Sequence, residues 1–88
     1  MNIDIIQELK QKITEFADND VYIELENSIQ YYITIRNAKI IVSDEKLIIS
    51  DGRQQDFIVE LHYLDDLEIN ENTVYLEMTN DIKITLDH

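Results

Sequence analysis

The chain has 88 residues, one Gly, no Pro and no Cys, and its 19 acids against 7 Lys plus Arg leave a net charge of −12. That length predicts a single domain, residues 1–88, with a thin core, and the 44% hydrophobic and 30% charged fractions fit a globular chain. The charge argues against direct contact with nucleic acid or anionic membrane, the missing Cys removes disulfides and thiolate–zinc sites, and no apolar run nears the roughly 20 residues of a membrane span.

The first segment predicts a helix over about residues 3–18. Ile5, Leu9, Ile13 and Phe16 recur at helical spacing, with Ile6 and Ala17 widening the apolar stripe. Asp4 followed by Gln7 has the spacing of an N-cap with a capping box, and Asp18-Asn19-Asp20 supplies a polar stop. The start MNIDIIQELKQK lacks the basic opening and long apolar core of a signal peptide. A cytoplasmic location is expected.

Most of the chain after residue 19 reads as β-structure, in runs that alternate with period two as half-buried strands do. Val21, Ile23 and Leu25 interleave with Tyr22, Glu24 and Glu26, and Ile29, Tyr31, Ile33 and Ile35 interleave with Gln30, Tyr32 and Thr34. Strands are expected at about 20–27, 29–36, 38–43, 46–51, 56–62, 73–79 and 82–87. Asp44-Glu45-Lys46 reads as a tight hairpin turn, and Asp51-Gly52-Arg53 holds the only Gly, the natural place for a positive φ. The expected fold is α+β: one N-terminal amphipathic helix on a mainly antiparallel sheet of about six or seven strands.

Running from the end of the strand expected at 56–62 to the one at 73–79 is "LHYLDDLEINEN", residues 61–72, with Asp65, Asp66, Glu68 and Glu71 and no Lys or Arg. Counting from Asp66, oxygen-bearing side chains at Glu68, Asn70, Asn72 and Glu77 partly copy a calcium-binding EF-hand loop. The sixth position is Glu71, where that loop needs Gly, and the flanks alternate like strands. His62 with Glu60 offers two metal ligands, too few for a site, and His88 is terminal. No metal and no cofactor is expected.

Nucleophilic catalysis has no support either. Ser28, Ser43 and Ser50 sit in no strand–turn–helix elbow, one Gly cannot build a phosphate-cradling loop, and splitting the pKa values of Asp65 and Asp66 would need burial that this polar stretch does not offer. The protein is not expected to be an enzyme. The charge instead suits binding to a basic protein surface. Asp65, Asp66, Glu68 and Glu71 form the expected patch, Glu60 and Glu77 extend it, and Tyr75 adds contact area. Tyr suits that role because it buries a ring while keeping a polar tip.

Two stretches carry a resemblance. MNIDIIQELKQK and then YIELENSIQYYITIRNAKIIVSDE, residues 22–45, resemble the opening of the small phage-encoded anti-CRISPR inhibitors of type II CRISPR nucleases. The likeness is a short Met-Asn-Ile helix, strands with a Ser-Ile…Ile-Arg pattern and an acidic ending, and it covers about half the chain. It implies a carboxylate-rich decoy on the nuclease surface that admits DNA, where arginines read the duplex, and it adds Asp44 and Glu45 to the partner-binding set. The second half departs from that family, continuing in strands where those inhibitors carry helices. The alternative from a different class is a small structural or homo-oligomerising β-rich domain, with its charge serving solubility alone.

Overall fold

The computed structural model describes residues 3–88. It holds one helix, α1 (Ile3–Ile13), and eight strands: β1 (Val21–Glu26), β2 (Gln30–Ile35), β3 (Lys39–Val42), β4 (Lys46–Ser50), β5 (Asp56–Glu60), β6 (Leu64–Asn70), β7 (Thr73–Met78) and β8 (Lys83–Asp87). The α+β class is as expected. The strands form two antiparallel sheets rather than one, a five-stranded sheet in the order β2-β1-β8-β7-β6 and a three-stranded sheet in the order β3-β4-β5.

The helix is shorter than its hydrophobic pattern suggests. After Ile13 the chain tightens into a 3-10 turn, Thr14–Phe16, and the Thr14 hydroxyl donates to the Gln11 carbonyl at 2.8 Å. Asp18 then takes a left-handed φ of 65° and ends the run. Asp4 lies inside the first helical turn, not at the cap position expected for it. A carboxylate there still faces the positive end of the helix dipole. Ala17 is exposed, so the buried stripe is Ile6, Leu9, Ile13 and Phe16.

That stripe belongs to one continuous core. Val21, Ile23, Ile35, Val74, Leu76, Ile84 and Leu86 come to it from the five-stranded sheet, and Leu47, Ile49 and Val59 from the three-stranded one. The helix and the small sheet therefore close one face of the large sheet together. The opposite face of the large sheet stays in water, with Tyr22 and Tyr32 more than half exposed.

The larger correction concerns residues 61–72. The strand expected at 56–62 ends at Glu60, Leu61–Tyr63 is a 3-10 turn, and the stretch read as a connection is strand β6. A β-bulge hid it. Leu64 pairs with Met78 and Asp66 with Glu77, so Asp65 is the extra residue of β6. A bulge sets two residues against one, and the apolar spacing Leu64, Leu67, Ile69 is then three followed by two. Alternation fails where the strand begins.

Candidate acidic sheet face

Cross-strand register assembles the water-facing side of the large sheet row by row. One row runs Glu68, Tyr75, Thr85, Glu24, Tyr32 from β6 to β2, and the next runs Asp66, Glu77, Lys83, Glu26, Gln30. A third runs Asn70, Thr73, Asp87, Tyr22, Thr34. Among the described residues, these rows carry Glu24, Glu26, Asp66, Glu68, Glu77 and Asp87 against one cation, Lys83. Neighbouring strands lie about 4.8 Å apart and same-face residues about 6.8 Å apart along a strand, so these charges fall within one screening length of their neighbours and act as a field.

Five acids elsewhere in the molecule are held by cations, and the carboxylates gathered on this face are not. Lys10 pairs with Asp44 at 3.0 Å, Lys12 with Glu15 at 3.1 Å, Arg36 with Asp20 at 3.3 Å, Lys39 with Asp18 at 3.0 Å and Lys46 with Glu60 at 3.8 Å. Among the described residues, Glu24, Glu26, Asp66, Glu68 and Glu77 take part in no ion pair. A shallow cavity of about 270 Å³ lies on this face, lined by these five carboxylates together with Tyr75, Lys83 and Thr85.

The Tyr32 phenol is affected by this field. Its pKa is raised, first by the Glu24 carboxylate opposite it, then by partial desolvation, by a hydrogen bond to Glu24 and by Glu26. A phenolate there would sit among like charges.

The expected partner-binding residues divide in two. Asp66, Glu68, Tyr75 and Glu77 lie on the acidic face, Asp65 is the exposed bulge residue beside them, and Glu71 with Asn72 makes the two-residue turn from β6 to β7. Glu60 stands on β5 of the other sheet, opposite Lys46. Asp44 and Glu45 occupy the β3–β4 turn, where the Ser43 hydroxyl accepts from the Glu45 and Lys46 backbone N–H groups at 3.2 Å each. Asp44 is held by Lys10 at 3.0 Å, and Glu45 beside it is exposed.

Further residues of the face were outside the expected set, among them Asp87 and Lys83 of β8, Glu24 and Glu26, now seen to share the face with β7 across β8, and Tyr22 and Tyr32. Alternation had put Glu24, Glu26, Tyr22 and Tyr32 on outward positions. The missing information was that β8 lies between β1 and β7.

The segment 66–77 that partly copied a calcium loop is a β-hairpin, with its first and last carboxylates directly opposite each other. Among the described residues no group of three or more His, Cys, Asp or Glu side chains converges as a metal site would. No described helix is long and apolar enough to cross a membrane. Fold and site together define a small α+β protein with one open, acidic, tyrosine-bearing sheet face. Compared with protein-family models, curated proteins and solved structures, the chain matches none.

Proposed function

We propose that this is a non-enzymatic binding protein whose acidic sheet face engages a basic, nucleic-acid-handling protein in the cytoplasm. Its specific form is a phage or mobile-element inhibitor that occupies the DNA-binding surface of an RNA-guided nuclease. One observation carries the reading: cross-strand register gathers Glu24, Glu26, Asp66, Glu68 and Glu77 on one sheet face, and among the described residues no cation pairs with any of the five. Unpaired carboxylates in a fixed array can take Arg side chains bidentately, and Tyr22, Tyr32 and Tyr75 add ring area between them. Such a decoy competes with phosphate and needs no catalytic group. The resemblance of the first half to anti-CRISPR inhibitors points the same way, although the densest part of the face lies in the second half.

The test is cleavage of target DNA by a guide-loaded type II nuclease, with the triple variant D66N/E68Q/E77Q as comparison. The wild-type chain should inhibit, less so as salt rises, and the equally folded variant should not. No inhibition by the wild type would remove the nuclease version. Undiminished inhibition by the variant would remove the face assignment.

A further inference from the structure

The outer face of the three-stranded sheet has a different character from the acidic one. Ile41, Ile48 and Ile58 stand in register across β3, β4 and β5. Ile41 is 60% and Ile58 52% exposed. One strand step away the next outward row reads Lys39, Ser50, Asp56, and on the other side Lys46 faces Glu60 at 3.8 Å. This surface holds two cations and two carboxylates around an apolar stripe. On a chain of net charge −12, it is a face on which two copies can meet without opposing a net charge.

We propose that this face docks a second copy of the chain, sheet against sheet, about a twofold axis parallel to β4. The order of residues is what selects a second copy as the occupant. Rotation about that axis lays β4 on its own image and exchanges β3 with β5. Ile41 then meets Ile58 of the second copy, Ile48 meets its own image, and Lys39 meets Asp56, with every unlike contact occurring twice. A self-complementary patch of this kind is what an isologous interface requires. The like-charged approach is Lys46 to its image, and each Lys46 already holds a Glu60.

The intramolecular pair of Lys39 with Asp18 is exposed on both sides, 54% and 74%, so it competes weakly for the ammonium. With three strands of four or five residues, the patch is smaller than the roughly 1,000 Å² of a lasting interface. The dimer is therefore a concentration-dependent one. It uses none of the acidic-face residues, and it stands or falls apart from the binding reading above.

Sedimentation equilibrium of the full chain at roughly 0.05–1 mM, the range of a weak dimer, tests it. The wild type should fit a monomer–dimer equilibrium. I58S, an exposed change, should raise the dissociation constant, and K39D or D56K alone should raise it by about tenfold through like-charge contacts made twice. The double swap K39D/D56K should bring it back to within about threefold of wild type. D18N, which releases Lys39, should leave the dimer intact or tighten it, and thermal melts should show every variant folded. A strictly monomeric wild type, or a charge swap that fails to restore association, overturns the proposal.

Discussion

Asp66 and Glu77 are direct cross-strand neighbours in the β6–β7 ladder. Like charges so placed oppose pairing, on the order of 0.2–1 kcal/mol, and no cation among the described residues bridges them. Replacing Asp66 with Lys turns the repulsion into attraction. Urea unfolding should show D66K more stable than wild type by about 0.5–1 kcal/mol, while partner binding weakens. Stability and binding moving in opposite directions is the signature of a surface kept charged for function. A D66K chain that lost stability would undercut that account.

The bulge at Asp65 yields a second prediction. Deleting Asp65 leaves Leu64, Asp66, Leu67, Glu68 and Ile69, a strict in-out alternation in the same register with β7. The deletion should fold with its stability changed by no more than about 1 kcal/mol, since an edge strand loses only its extra residue. Deleting Leu67 instead removes a core-side residue, and closing the bulge then turns Asp66 into its place against the core. That chain should unfold at much lower urea, and equal behaviour of the two deletions would show that Asp65 is not the extra residue.

Tyr32 reports the field of the acidic face. Ultraviolet titration should find the Tyr32 phenol ionising above the ordinary tyrosine range, and E24Q should bring it down, because Glu24 is the largest cause. The raised folded value means that this group's contribution to stability is complete below the ordinary tyrosine pKa. It is lost as pH climbs through the raised one. No change in E24Q would mean the face does not act as a common field.

Asp51 behaves in the opposite sense. Its Oδ1 accepts from the backbone N–H groups of Arg53, Gln54 and Gln55 at 2.8, 3.0 and 3.1 Å. These bonds, that of Arg53 first, hold its carboxyl below the ordinary aspartate range despite an opposing desolvation. The stability it contributes is present above the unfolded value near 3.9 and fades as pH falls through the lowered folded one. D51A should lower the urea midpoint at neutral pH and flatten the acid limb of stability. An unaltered acid limb would assign that limb to other carboxylates.

Much of the fold was legible because period and burial are local properties. The helical stripe of Leu9, Ile13 and Phe16 and the alternation of Val21, Ile23 and Leu25 follow from which side chains must leave water. Strand β6 was not legible, since Asp65 breaks the alternation that identifies a strand. The end of the helix shifted because the residues after Ile13 can satisfy a 3-10 turn as well as an α-turn.

The sequence by itself determined the α+β class, the sign and size of the charge, and the outward placement of Glu24, Glu26, Tyr75 and Glu77. Only the tertiary structure decided which acids act together. It placed β8 between β1 and β7, which joins Glu24 and Glu26 to Glu77 and Asp66, and it sent Glu60 to the second sheet beside Lys46. The reason is physical. Which face a residue takes depends on its own strand, whereas its charged neighbours depend on pairings between strands distant in the chain. The stretch "LHYLDDLEINEN" thus became one edge of a five-stranded acidic surface.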